Sequence, residues 1–300
     1  MYDEVLIPTD GSESAERAAQ YATVLAAAYD STVHVLSVVD ERDYDGVERE
    51  GADAGKTAAE QQANEAVDAV AALVSRERAG GDRVTTRVTV GVPSEAILAY
   101  VDEAGIDLVV MGTHGRTGVE RFLIGSVAER VVRHADVPVL TVRAADRLPS
   151  WEPIERLLVP TDGSEASFAA LSHAFDIAAR FDALVEGLAV VDERSKTSVY
   201  TVETALEEVV GGLEATAQNA TEHLAGRARE HGVDVETSVV DGIPSRTICA
   251  HAETSGADLV VLASHGRTGL AHYLLGSVAE RVVRNATVPV LTVPAPVRDE

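Results

Sequence analysis

Cysteine, lysine and aromatic residues are all scarce in this 300-residue chain, and each scarcity closes off a class of protein. A single cysteine, Cys249, rules out an intramolecular disulfide, so no part of the chain is a small disulfide-stapled scaffold. Leu98 stands at the equivalent position of the repeat described below, so Cys249 reads as a buried structural residue rather than a reactive one. There are two lysines, Lys56 and Lys196, and Lys and Arg together number 25 against 49 acidic residues. The resulting formal charge of −24 disfavours a nucleic-acid partner, and none is expected, because phosphate-backbone binding relies on clustered Lys and Arg. A dispersed acidic surface stays solvated where salt screens charge, so a salt-loving source and ordinary acidic solubility both account for it. No apolar run approaches the roughly 18 residues of a membrane helix. The amino-terminal MYDEVLIPTDG also lacks a basic, apolar leader. The expectation is a cytoplasmic protein without a membrane partner. No His or Cys pair has metal-ligand spacing, and no Ser-His-Asp or Cys-His arrangement is readable, so no metal ligand and no catalytic residue is assigned.

What is present occurs twice. Residues 125–133 read GSVAERVVR, and so do residues 276–284. MGTHGRTG at 111–118 is echoed by LASHGRTG at 262–269, VPVLTV at 137–142 recurs at 288–293, and LIPTDGS at 6–12 returns as LVPTDGS at 158–164. The offset is 152 residues in the early blocks and 151 in the later ones, so the second copy has lost one residue in its middle. Solenoid repeats run about 20–50 residues. A period this long therefore means two whole domains, placed at 1–145 and 154–300, each able to bury a core. Residues 144–153, with Pro149, Trp151 and Pro153, read as the linker.

Each copy alternates short apolar runs with helical ones. In the first, residues 5–8 form a strand that stops at Thr9-Asp10-Gly11-Ser12, where Ser12 or Ser14 can cap a helix carrying Ala18, Ala22, Leu25 and Ala26. Residues 33–39 are a second strand ending at Asp40, 41–56 read as an acidic loop, and a helix is predicted from about Thr57 to Arg78. Residues 84–90 alternate as an edge strand does. Pro93-Ser94 opens a helix with Ile97, Leu98 and Val101, and 107–111 and 139–142 complete five strands. Strands apolar on both faces and alternating with helices imply a covered parallel sheet. The predicted fold is α/β: two tandem doubly wound, parallel, five-stranded sheets, flavodoxin-like, with ligands beyond the carboxyl ends of the strands.

The chemistry is therefore expected in the loops after strands one and four. After strand four, Gly112 and Gly115 are followed nine residues later by Gly125-Ser126, which opens a helix with Val127, Val131 and Val132 on its apolar face. A helix start offers N–H groups and a positive dipole end, which suit a phosphate, with Ser126, His114 and Arg116 as further donors. Each glycine taken singly also reads as a turn residue; the spaced set at the ligand edge reads as phosphate-binding. Residues 51–57 (GADAGKT) are one residue short of a Walker A loop, and the Rossmann G-x-G-x-x-G is missing after strand one.

The set Pro8-Thr9-Asp10-Gly11-Ser12, Val38-Val39-Asp40 and Gly112-x-x-Gly115-(nine residues)-Gly125-Ser126 resembles the universal stress protein family, over nearly all of both copies. The resemblance implies a tandem member of the ATP-binding branch, of adenine-nucleotide-α-hydrolase-like fold, with ATP, alone or with Mg²⁺, as ligand. It places Pro8, Thr9, Asp10 and Val38 at the adenosine, and Met111, Gly112, His114, Gly115 and Arg116 at the ribose and phosphates. Gly125, Ser126, Val127 and Ala128 then take the phosphates at the helix start. In the second copy it carries over to Pro160, Thr161, Asp162 and Val190, to His265, Gly266 and Arg267, and to Gly276, Ser277, Val278 and Ala279. Ala263 departs from the pattern by standing where the first copy has Gly112. A β-carbon there crowds the ligand, or is barred if the loop needs a positive φ, so the second site is expected to bind more weakly and Ala263→Gly to strengthen it.

Three functions remain open at this point. The first is an ATP-binding regulatory protein of the stress response, signalling through nucleotide occupancy. The second is a slow ATPase or other phosphoryl-transfer enzyme, in which Asp10 and Asp40 reach a metal only if they face the phosphates. The third is a structural pseudo-dimer module with empty sites. The last strands of the two copies would leave apolar sheet edges unless paired, so an intramolecular pseudo-dimer of the two domains is expected, with a further homodimer as an additional partner state.

Overall fold

The computed structural model describes residues 1–43, 52–77, 83–115, 124–144, 146, 154–194, 206–266 and 275–295. The chain divides into two compact units, Met1–Pro149 and Ser150–Glu300. The first runs β1 (Glu4–Pro8), α1 (Glu13–Tyr29), β2 (Thr32–Asp40), a 3-10 turn (Glu41–Asp43), α2 (Ala52–Glu77), β3 (Val84–Gly91), α3 (Pro93–Ala104), β4 (Leu108–Gly112), α4 (Ser126–His134) and β5 (Val139–Val142). The second runs β6 (Arg156–Pro160), α5 (Glu165–Phe181), β7 (Leu184–Asp192), α6 (Leu206–Glu230), β8 (Val235–Gly242), α7 (Pro244–Ser255), β9 (Leu259–Ala263), α8 (Ser277–Asn285) and β10 (Val290–Val293).

Within the first unit the strands are parallel in the order β3-β2-β1-β4-β5, with Leu6 opposite His34 and Val5 opposite Leu108. The second unit repeats it as β8-β7-β6-β9-β10. This order differs from flavodoxin's 2-1-3-4-5: the chain winds outward from β1 to β3, then returns to the other side of β1 with β4. The reversal opens a crevice at the carboxyl ends of β1 and β4. In β1, Val5, Leu6 and Ile7 are 0% exposed, as are Leu108, Val109 and Val110 in β4, because helices cover both faces. On α1, Ala15, Ala18, Ala19, Ala22 and Ala26 form the buried stripe, and side chains this small let the helix lie close to the sheet.

Helix α2 begins at Ala52, five residues earlier than the sequence pattern suggests, so residues 52–57 of the Walker-like run are helical rather than a phosphate loop. Alanines at 52 and 54 and an acidic Asp53 in the first turn outweigh the cost of Gly55. The middle of the repeat is also less simple than one lost residue. Asp40 and Asp192 are 152 apart, the starts of α2 and α6 are 154 apart, and Val84 and Val235 are 151 apart. The second copy thus gains two residues before the helix and loses three after it. No described helix is long and apolar enough to cross a membrane.

Candidate functional site

The crevice is built by two loops that lock onto neighbouring strands. After β1, the Thr9 N–H donates to the Leu36 carbonyl (2.8 Å), and Thr9 Oγ1 accepts from the Gly11 N–H (3.2 Å). Asp10 Oδ1 accepts from the Ser12 N–H (3.0 Å), and Gly11 sits at φ +76°, where a side chain would be strained. Ser12 rather than Ser14 caps α1, accepting the Ala15 N–H at 3.3 Å. After β4, the Thr113 N–H donates to Val142 (2.9 Å) and the Gly125 N–H to the Thr113 carbonyl (2.7 Å). That last bond draws the start of α4 against the end of β4. Gly125 occupies the cap position of α4, where no side chain bonds the first-turn N–H groups, and Gly276 does the same for α8. Helices α1 and α5, in contrast, are capped by Ser12 and Ser164. An N-terminus without a side-chain cap keeps its donors and its positive dipole end for something else.

These loops enclose a cleft of about 430 Å³ in the first unit. Pro8, Thr9, Asp10 and Val38 line one part of it, Met111, Gly112, His114 and Gly115 the floor, and Gly125, Ser126, Val127 and Ala128 the helix start. The second unit has a matching cleft of about 400 Å³. Pro160, Thr161, Asp162 and Val190 line its first part, Ala263, His265 and Gly266 its floor, and Gly276, Ser277, Val278 and Ala279 its helix start. Arg116 and Arg267 lie outside the described residues.

His114 is half-buried and its Nδ1 lies 2.9 Å from Thr113 Oγ1. Its Nε2 is buried and has no hydrogen-bond partner among the described residues. A buried, unmatched ring nitrogen at a cleft is the kind of group a ligand satisfies. The carboxylates considered for a metal are engaged elsewhere. Arg42 Nε donates to Asp40 Oδ1 at 2.8 Å, and this hydrogen bond holds the Asp40 carboxyl below the ordinary carboxylate range. Arg194 does the same for Asp192, with Nη2 at 2.6 Å from Oδ2. Asp10 is tied into its own turn and packs on Gly115, where an added β-carbon would lie 2.7 Å from Asp10 Oδ2. Among the described residues no group of three or more His, Cys, Asp or Glu is placed to hold a metal ion.

The role of Gly112 differs from the one expected. Its φ is not in the left-handed region, and a β-carbon there would point at helix α1, 2.5 Å from Ser14 Oγ, 2.7 Å from the Ser14 carbonyl carbon and 2.9 Å from the Ala15 nitrogen. Glycine is needed because the alanine-faced helix lies so close, not because a ligand does. In the second unit Ala166 replaces Ser14 while Ala263 replaces Gly112, so one methyl group takes the place of one hydroxyl. Ser14 also donates from Oγ to the His114 carbonyl, tying α1 to the glycine loop, a bond Ala166 cannot make. At Gly125 a β-carbon would meet the Thr113 carbonyl oxygen at 2.9 Å, so this glycine serves the loop closure.

Sequence reasoning missed the wall opposite the strands. Ala59, Gln62 and Ala63 of α2, with Arg42, Pro93 and Ile97, complete the first cleft. The signal was present: the buried stripe Ala66, Val67, Val70 and Val74 continues back through Ala63 and Ala59 at helical spacing, beyond the end of the sheet. Of the remaining histidines, His34 and His251 pair with Glu4 and Glu186, each at 2.7 Å, and His223 and His231 pack on Phe168 and Phe175. His272 lies outside the described residues.

Comparison with known proteins bears on both units. The sequence profile of the universal stress protein family matches residues 1–143 and again 153–294. The universal stress protein MJ0531 of Methanocaldococcus jannaschii is 39% identical over 145 residues, which is 48% of this chain and 85% of that protein. The universal stress protein Rv2005c of Mycobacterium tuberculosis is 32% identical over 228 residues, 74% of this chain and 73% of its own length. In structure, a universal stress protein from Archaeoglobus fulgidus matches 97% of this chain and 96% of itself, with a TM-score of 0.70 at 22% identity, a likeness of fold. The chain belongs to the universal stress protein family, as a tandem of two such domains.

Proposed function

We propose that each domain binds an adenine nucleotide, ATP in the first instance, and that occupancy regulates the protein as part of a stress response. The observation that carries this reading is the glycine-capped start of α4 and of α8. Like the proline-opened starts of α3 and α7, each lacks a side-chain cap, and each opens on a cleft lined by the same residue types at the strand ends and helix start in both copies. In the first cleft the phosphates lie at the start of α4, against Gly125, Ser126 and Val127, where N–H groups and the dipole favour negative charge. The adenosine lies against Thr9, Asp10 and Val38, and His114 Nε2 supplies a donor between the two ends. A volume of about 430 Å³ is within the range of small-molecule and cofactor sites.

The test is direct. Protein purified without added nucleotide is denatured and the released small molecules are identified by mass. Calorimetric titration of stripped protein with ATP then gives a stoichiometry, expected near two per chain. Ser126 and Ser277 are exposed at their helix starts, so Ser126→Glu and Ser277→Glu should each remove one site by repelling phosphate. Phosphate release measured on the same samples separates an ATP-regulated protein from a slow ATPase. No nucleotide on the purified protein and no binding at millimolar ATP would refute the reading.

A further inference from the structure

We infer that the two clefts read the ring of the ligand differently: Gln62 makes the first site select adenine over guanine, and the second site, which lacks that group, accepts both. This rests on the nucleotide reading above. The clefts match at the helix start and along the strand ends, and they diverge on the helical wall. Ala59, Gln62 and Ala63 line the first cleft from α2, and Leu213, Thr216 and Ala217 line the second from α6, with the same i, i+3, i+4 spacing. The correspondence holds down the helix, where buried Val70 and Val74 match buried Leu224 and Ala228 at the same offset of 154. A carboxamide in one wall is therefore replaced by a short hydroxyl and an added leucine in the other.

Gln62 is exposed and makes no hydrogen bond to another described residue, so its amide is available. With Thr9 and Asp10 it also lines the neighbouring groove between α1 and α2, which sets the amide beside the end of the cleft assigned to adenosine. A carboxamide presents one donor and one acceptor side by side. Through its N7 edge, the one this inference assigns to Gln62, adenine answers with N7 and the 6-amino group, whereas guanine offers two acceptors there, N7 and O6, and sets one against the amide oxygen. The Thr216 hydroxyl is engaged on its own helix, donating to the Gly212 carbonyl (2.7 Å), and offers neither ring a paired donor and acceptor. Leu213 contributes only apolar contact.

The experiment measures the Kd of ATP and GTP on the full chain in two backgrounds, Ser277→Glu to leave the first site and Ser126→Glu to leave the second. In the first, ATP should bind at least about tenfold more tightly than GTP, and Gln62→Leu or Gln62→Ala should bring the two within about threefold by weakening ATP. In the second, the two nucleotides should already lie within about threefold, and Thr216→Gln should create a preference for ATP. An ATP:GTP ratio unmoved by both Gln62 variants, with binding retained, overturns this inference alone. Failure of the wild-type chain to bind either nucleotide overturns the nucleotide reading and this inference with it.

Discussion

The exchange of Gly112 and Ser14 for Ala263 and Ala166 makes a prediction that the single substitutions cannot be read independently. Carbon contacts settle at about 3.5–4.0 Å, so a methyl at 112 intrudes by roughly 1 Å on Ser14 Oγ and by somewhat less on the backbone of α1. Overpacking of that kind costs about 1–3 kcal/mol. Ser14→Ala alone loses the hydroxyl donor to the His114 carbonyl, worth about 0.5–1.5 kcal/mol. Combining them should not add. Without the hydroxyl the worst contact disappears and the new methyl takes its space, leaving only the contacts with the α1 backbone; the second unit carries this same combination, Ala263 with Ala166. The double variant should then be no less stable than Gly112→Ala, with a coupling of about 1 kcal/mol or more. In the second unit, Ala263→Gly opens a methyl-sized void and adds the chain entropy of glycine. It should cost about 1–2 kcal/mol and leave ATP affinity unchanged. Urea denaturation followed by circular dichroism, with ATP titrations on the same samples, reads both quantities. Additive losses in the double variant, or an Ala263→Gly protein that gains affinity, would refute the assignment of this contact to the helix.

Three further outcomes follow from particular side chains. Asp146 is 3% exposed, and burial raises its carboxyl from the ordinary 3.8 to about 6, against a 2.7 Å hydrogen bond from the Arg143 N–H that lowers it. Because the folded state holds this proton more tightly than the unfolded chain, the associated stability is complete below about pH 4 and is lost as pH rises through about 6, in total about 3 kcal/mol. Asp146→Asn keeps the acceptor without the charge, so it should be the more stable protein at pH 7 and show a flatter pH profile between 4 and 6 in thermal melts. His114→Ala removes the unmatched Nε2 from the first cleft and should weaken ATP by about 5–30-fold there, with little change in melting temperature, as calorimetry in the Ser277→Glu background would show. Glu186→Gln strips the charge that lies 2.7 Å from His251 and 3.8 Å from Arg156, and should cost about 1–3 kcal/mol by urea denaturation without altering nucleotide affinity.

The fold was largely legible because its signals are local. Runs such as residues 5–8 and 107–111 are apolar on both faces and lie within a residue or so of β1 and β4, and the serine before the first helix does cap it. The start of α2 was misjudged because glycine and lysine at 55 and 56 looked like loop, while the helix-favouring residues around them prevail. The loops that meet at the cleft were legible from glycine spacing, but the reasons for those glycines were not. Whether residue 112 can carry a β-carbon depends on the height of α1 above the sheet, which the alanines of another segment set. Gln62 was invisible for a related reason: nothing local separates a solvated glutamine from one that overhangs a cleft, until the helix is placed past the end of the strands.

The two copies also distinguish self-contained packing from a surface shaped by something outside the chain. At the amino end of the first sheet, His34 bridges Glu4 (2.7 Å) and the Tyr100 hydroxyl (2.8 Å). At the equivalent positions of the second unit stand Arg156, Glu186 and His251, with Glu186 as the bridging group. Every residue type has changed, yet each half-buried cluster still pairs its carboxylate with a histidine 2.7 Å away, because such a cluster has only its own members to answer to. At the carboxyl end the opposite holds. Thr-Asp after the first strand, His before the second motif glycine, and Gly-Ser-Val-Ala at the helix start are kept residue for residue in both copies. The identity runs past the cleft, through residues 129–133 and through VPVLTV, so packing holds part of it, while the Gly112–Ser14 pair shows that the cleft floor tolerates an exchange. At the cleft the proposed nucleotide accounts for the rest: residues held while their immediate support is exchanged, beside helix starts at α4 and α8 whose donors suit an anion.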